Sequence, residues 1–289
     1  MELQIVLSSV VLALLFMWVQ SLYWEIRYRV WITAGVIIGL FTAAVMTWVV
    51  LWKPDLGPVP LLLIEVVLIG VMAAVALLIW FSRDPERIPP EKEGVIISPA
   101  DGKIIYVNKL ENESHFVSVK AGTRYPLEEL LQAPWPFQGG YLVGIEMNVL
   151  DVHVNRAPIS GKIALLKRIK GGFPGLGKPN AEVRSQRAAV LIENGNILVG
   201  VVQIASRFVR GIVSYVKEGQ QVEIGQRIGM IRFGSQVDLV IPDIEDCLIT
   251  VGQGQTVSAG LTVIARYGKK VSPLSAAVEK ELATGEVKN

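Results

Sequence analysis

Three runs of apolar residues at the N-terminus constrain this chain more than any other feature. Leu3 to Trp24, Val30 to Trp52 and Pro60 to Phe81 are each 22 or 23 residues long. At 1.5 Å per residue each forms a helix of roughly 33 Å, enough to cross the hydrocarbon core of a bilayer. The whole chain is 51% hydrophobic over 289 residues with a mean hydropathy of +0.45, too apolar for an ordinary water-soluble protein, and the excess sits in these runs. A cleaved signal peptide would need a basic n-region and a small-residue cleavage site; the first run starts from Glu2 and shows neither before Glu25. Glu65 is the only carboxylate inside a run. It costs on the order of 3 kcal/mol on insertion scales, which a Leu/Ile/Val-rich segment offsets. Three spans are therefore expected within residues 1–82 (3–24, 30–52 and 60–81), with a two-span hairpin as the alternative.

Charge placement orients the spans. With three of them, the Arg27/Arg29 loop and the Arg83/Arg87 segment fall on one side, while Glu2 and the Lys53/Asp55 loop fall on the other. The positive-inside rule then places residues 83–289 in the cytoplasm, at the cell (inner) membrane. The single cysteine, Cys247, excludes an intrachain disulfide and suits a reducing compartment. A net charge of +2, without a dense Lys/Arg stripe interleaved with aromatics, argues against a nucleic-acid partner. A modestly basic body beside an anionic leaflet is instead attracted to it. No metal is expected, because no Cys/His set has ligand spacing.

SRDPERIPPEKEG (82–94) holds three prolines and seven charges and cannot continue a membrane helix, so residues 83–93 read as a linker. Beyond it, short β-branched runs are punctuated by glycine, as in GVIISPADGKIIYV, GYLVGIEMNV and AAVLIENGNILVGVVQIA. Residues 94–289 are expected to form one mainly β domain, helical only over Pro126–Ala133 and Pro273–Ala283. Two internal repeats sharpen the fold. SPADGKIIYV (98–107) matches APISGKIALL (157–166), and VKEGQQVEIGQRIGMI (216–231) matches ITVGQGQTVSAGLTVIARY (249–267). The second pair has the β-Gly-x-x-Val-x-x-Gly frame of hammerhead or barrel-sandwich modules, in which glycine turns reverse one strand into the next.

Three separated segments carry candidate chemistry: SPADGK with Asp101, DVHVNR with His153, and RFGSQVD with Gly234 and Ser235. An internal serine can become a ketone if its Oγ attacks the preceding carbonyl, giving an ester. Elimination then leaves dehydroalanine, which hydrolyses to a ketone and ammonia. Each step needs a proton carrier, which an imidazole held by a carboxylate supplies. Strand alternation over DVHVNR is expected to put Asp151, His153 and Asn155 on one face. Read alone, Gly-Ser is a strand bulge and Asp101 an Asx turn.

Taken in order, these segments and FSRDPERIP resemble the phosphatidylserine decarboxylase proenzyme family, of the short bacterial and archaeal type, over about residues 81–265. The resemblance implies a self-processing enzyme that decarboxylates phosphatidylserine to phosphatidylethanolamine in phospholipid biosynthesis. It implies a cut between Gly234 and Ser235, a covalent pyruvoyl cofactor made from Ser235 that acts as an electron sink, and β and α chains that stay together. It maps Asp101, His153 and Ser235 onto the family acid, histidine and pyruvoyl-forming serine. Many members carry a second histidine three positions after the first, where this chain has Arg156; the maturation base is thus left open. Gln236 lies after the cut and is expected to matter little. The partners implied are a phospholipid substrate and the membrane, with a homodimer left open.

Two other readings stand beside this one. The hammerhead frame suits a non-enzymatic, membrane-anchored carrier or fusion protein, although no Met-Lys pair marks a modifiable lysine. GGFPGLGKP (171–179) approaches a nucleotide-binding loop, yet Pro179 stands where Ser or Thr would bind Mg²⁺. Arg168, Lys170, Lys178 and Arg156 are candidate contacts for a lipid phosphate. If the arginines set the topology, a reporter fused after Asn289 is active in the cytoplasm; a periplasmic signal rejects the three-span arrangement.

Overall fold

The computed structural model describes residues 2–24, 28–110, 116–118, 124–133, 135–137, 139–172, 184–205, 211–232 and 235–268. It divides into two compact units, residues 1–83 and 84–289. The first is three helices, α1 (Glu2–Trp24), α2 (Tyr28–Trp52) and α3 (Pro58–Phe81), each long and apolar enough to cross a membrane. Gly35 and Gly39, four residues apart, share one face of α2. A Cβ on Gly39 would lie 2.6 Å from Val10 Cα, and one on Gly35 would lie 3.2 Å from Leu14 Cα, so α1 and α2 meet backbone to backbone. Glu65 of α3 is 6% exposed and accepts hydrogen bonds from Ser9 Oγ (2.5 Å) and Ser8 Oγ (3.3 Å) of α1. That pairing accounts for a carboxylate in an apolar run: it faces another helix, while Leu62, Leu63, Val66 and Val67 around it are exposed.

The second unit contains β1 (Val95–Ile97), β2 (Gly102–Leu110), β3 (Phe116–Ser118), β4 (Arg124–Pro126), α4 (Leu127–Leu131), β5 (Gly140–Met147), β6 (Val154–Arg156), β7 (Gly161–Ile169), β8 (Arg187–Asn194) and β9 (Ile197–Ala205). It continues with β10 (Ile212–Ser214), β11 (Gln221–Val222), β12 (Arg227–Ile231), β13 (Ser235–Pro242), β14 (Leu248–Ile249), β15 (Thr256–Val257) and β16 (Val263–Arg266). The main sheet is antiparallel in the order β11-β7-β8-β9-β13-β5-β2-β15. The helix expected over Pro126–Ala133 is α4; Pro273–Ala283 lies outside the described residues.

The two edges of that order are built alike, which is the sequence repeat made physical. Gly102 opens β2 and pairs with Val257 of β15, as Gly161 opens β7 and pairs with Val222 of β11. Ile104 and Ile163 each donate their N–H to a carbonyl of the matching turn, Gln255 and Gln220, at 2.8 Å. A Cβ on Gly102 would lie 2.2 Å from the Glu146 carbonyl oxygen, and one on Gly161 2.3 Å from that of Glu193. Only glycine permits that approach, so the Gly-Lys-Ile frame recurs.

The sheet buries both faces. One packs Val143, Ile145, Val201, Val237, Leu239 and Ile241 against the two small sheets, β1-β16-β14 and β10-β12-β6. The other packs Leu142, Leu191, Val202 and Val240 under α4 and Trp135. The proline-rich segment after α3 is an ordered strap on the β unit. Arg227 binds Asp84 and Glu86, Arg156 binds Asp84 and the Pro85 carbonyl, and Arg266 binds Glu91. The charges that forbid a membrane helix here are matched by arginines of the β unit. Gly102→Ala or Gly161→Ala forces a backbone shift at a sheet edge and is expected to lower stability by about 3 kcal/mol, readable as a lower denaturation midpoint in detergent.

Candidate active site

Ser235 begins β13, a strand with neighbours on both sides: it pairs with Met147 of β5 and with Ala205 of β9. By two-residue alternation, position 235 shares the sheet face of Val237 and Leu239, which looks toward the small sheets. Gly234 lies outside the described residues.

His153 reaches this region through the neighbouring small sheet. β12 pairs with β6, and Ile231 N–H donates to the His153 carbonyl at 3.1 Å, four residues before Ser235. The imidazole is fully buried, with Nδ1 2.9 Å from the Asp151 carbonyl oxygen. A carbonyl only accepts, so Nδ1 carries the proton and Nε2 is the basic nitrogen. Two residues on, Asn155 accepts from Gln203 Nε2 at 2.7 Å and lies 3.9 Å from Met147 Sδ. Met147 is opposite Ser235 and Gln203 opposite Val237, so β6 lays its polar side chains beside the start of β13. Gln203 Oε1 is buried with no hydrogen-bond partner among the described residues.

The motif is not one continuous strand, as its alternation suggests. β6 starts at Val154, and Asp151 sits in a turn where its Oδ2 accepts the Asn148 N–H at 2.7 Å and its own N–H bonds the Asn148 carbonyl at 2.9 Å. The aspartate thus supplies a backbone carbonyl to His153 while its carboxylate closes the turn.

Asp101 comes close to His153 through the backbone. Arg87 grips both carboxylate oxygens (2.5 and 2.9 Å), and the N–H groups of Ala259 (2.7 Å) and Val152 (3.3 Å) complete the set. Four donors occupy it, and among the described residues no hydrogen bond joins Asp101 to His153. The bond to Asp101 raises the pKa of Arg87. Arg156, where a second histidine would stand, is 3% exposed and binds the Gly225 and Pro85 carbonyls (both 2.9 Å) and Asp84 (3.2 Å). Burial lowers its pKa, helped by Arg227 and Arg87, yet a guanidinium stays charged at neutral pH. It holds the strap.

The basic candidates are farther off. Arg168 is exposed and lies in register with Ala188, Gln203 and Val237, three strands and roughly 14 Å from β13. Lys170 is exposed just past β7, and Lys178 lies outside the described residues. Cys247 is no nucleophile at neutral pH, because burial and Asp243 push its thiol up to about 11. Among the described residues no His, Cys, Asp and Glu side chains gather as a metal site.

One group escapes the sequence reading. Gln236 is 1% exposed, and its Nε2 donates to Tyr106 Oη and Asp238 Oδ1, both at 2.8 Å. The signal was present: Gln236 and Asp238 put two polar residues on one face of an otherwise apolar strand.

A sequence profile of the phosphatidylserine decarboxylase family matches residues 75–265. The putative archaetidylserine decarboxylase proenzyme of Methanothermobacter thermautotrophicus is 41% identical over 208 residues, 70% of this chain and 87% of the relative. Its namesake in Methanocaldococcus jannaschii is 42% identical over 197 residues, 68% of this chain and 93% of the relative. The phosphatidylserine decarboxylase proenzyme of Azorhizobium caulinodans is 38% identical over 199 residues, 68% of this chain and 77% of the relative.

Removing one partner of a mostly buried ion pair strands the other. Arg87→Ala is therefore expected to lower the unfolding free energy by about 3 kcal/mol, with Arg87→Lys intermediate. Denaturant unfolding of the detergent-solubilised wild type, of Arg87→Ala, of Asp101→Ala and of the protein carrying both changes closes the double-mutant cycle.

Proposed function

This chain belongs to the phosphatidylserine decarboxylase family, and on that premise we propose that it is a self-processing decarboxylase of serine-headgroup phospholipids. Relatives are named for phosphatidylserine and for archaetidylserine, so the shared serine headgroup defines the substrate class. The observation that carries the reading is the backbone register: residue 235 starts a central strand, and the His153 carbonyl is bonded four residues upstream at Ile231.

In this reading the Ser235 hydroxyl attacks the Gly234 carbonyl while His153 Nε2 takes its proton. Asp151 holds the tautomer through its carbonyl, and Asp101 fixes the backbone of Val152 beside the imidazole. Arg156, tied to the strap, leaves His153 as the histidine for both maturation and protonation of product. Cutting there leaves residue 235 as a pyruvoyl group, which supplies an electron sink for the carbanion left by carbon dioxide. The surroundings fit such a group: position 235 shares a face with a buried core, which shields a reactive ketone from water. The orphan acceptor Gln203 Oε1 on the adjacent strand suits an N–H of the substrate amine rather than the ketone itself. His153 delivers the proton to the substrate α-carbon. The two chains stay together because β13 pairs with β9 and β5 along its length. Arg168, Lys170 and Lys178 are the cations offered to the lipid phosphate. The three helices hold the enzyme at the cell membrane, with the β unit on the cytoplasmic side, where the arginines of the loops belong.

The test is the mass of the purified protein. A cut between Gly234 and Ser235 gives a 234-residue chain and, since 289 − 234 = 55, a 55-residue chain. Ser235→Ala has no hydroxyl with which to attack, so it remains one chain and releases no carbon dioxide from a serine phospholipid. Two fragments and retained activity from that variant would reject the assignment.

A further inference from the structure

We propose that Tyr106, Gln236 and Asp238 form a positioning device that fixes the beginning of β13, so that residue 235 acts from a held strand end. The inference rests on the reading that the chain is cut before Ser235. Once cut, β13 loses its covalent continuation, and strand ends open at little free-energy cost. Gln236 is then the second residue of the new chain.

The geometry suits that task. Both hydrogens of Gln236 Nε2 are directed, one to Tyr106 Oη and one to Asp238 Oδ1, and Tyr106 Oη donates to the same Asp238 oxygen at 2.8 Å. Asp238 is fully buried, so these are hydrogen bonds to a group shielded from water. Among the described residues Gln236 Oε1 has no hydrogen-bond partner, which leaves its two N–H bonds to set the amide. The clamp spans three strands. In register, Tyr106 of β2 faces Gly144 of β5, and Gly144 faces Asp238 of β13. A Cβ on Gly144 would lie 2.3 Å from the Tyr106 ring, so the missing side chain lets the phenol reach across β5 to β13. On this face Glu146 stands opposite Gln236 in register, and the apolar side chains of Leu142, Val202, Ile204 and Val240 surround the cluster. A buried carboxylate among them is a poor way to gain stability, since apolar groups of equal volume often do better. It is a good way to fix one strand end.

Tyr106→Phe keeps the ring over Gly144 and removes only the hydroxyl; Gln236→Met keeps length and removes the amide. In detergent-solubilised full-length protein we expect both variants to cut completely by mass and to melt within about 4 °C of wild type. Deuterium exchange in the peptide 235–242 should rise about tenfold, and kcat on a serine phospholipid fall about tenfold with KM within twofold, the scale of one hydrogen bond. A cut, active wild type beside variants with unchanged exchange and kcat overturns this inference alone. Exchange, kcat and melting that collapse together in both variants overturn it too, since that marks a general brace. A wild-type chain that never cuts overturns the parent reading and this inference with it.

Discussion

The Asp101 carboxylate is the point on which the β unit converges. Its oxygens bind a guanidinium from the strap and backbone N–H groups at Ala259 and Val152. Three stretches distant in sequence, near residues 87, 152 and 259, are thereby fixed to one turn. A carboxylate with four donors is held in one geometry, and the segment leading to His153 is held with it. The histidine then needs only a backbone carbonyl to set its tautomer. The carboxylate here is linked to the imidazole through the backbone N–H of Val152.

Around that point the sheet is built twice. Matching glycines open β2 and β7, matching turns from β15 and β11 cap the two edges, and β13 and β9 meet in the middle. Duplication brings two strand sets of equal length edge to edge, which leaves β13 with a partner on each side. A bond broken at the start of such a strand leaves the ladder on both flanks to hold the pieces. The two faces divide the work: one packs against the small sheets and receives His153 and Asn155, the other carries the Tyr106 cluster beneath α4.

The N-terminal unit answers a different solvent. Its outer residues are apolar and exposed, two glycines let α1 and α2 approach backbone to backbone, and the buried carboxylate of Glu65 is met by two serines. In a bilayer lipid tails are as apolar as leucine, so close packing and interhelical hydrogen bonds hold helices together.

The sequence by itself determined the elements whose signal is local. Length and hydropathy sufficed for α1 to α3, because a helix must satisfy its own backbone in lipid. Period-two patterns and recurrent glycines gave a β domain with an internal repeat, and the order of SPADGK, DVHVNR and the Gly-Ser step gave the family. Contacts between distant segments were decided only by tertiary structure. Nothing in DVHVNR announces that Asp151 closes a turn, that Asp101 binds Arg87, or that Arg156 holds a strap some 70 residues away, because each depends on which backbone groups are left without partners once the sheets form. Gln236 is the clearest case. By position it is one more polar residue after the Gly-Ser step; by register it faces Glu146 and Ile204, beside a phenol brought from β2 across a glycine. A side chain's surroundings are set by the strands on either side, and strand order is a property of the folded sheet.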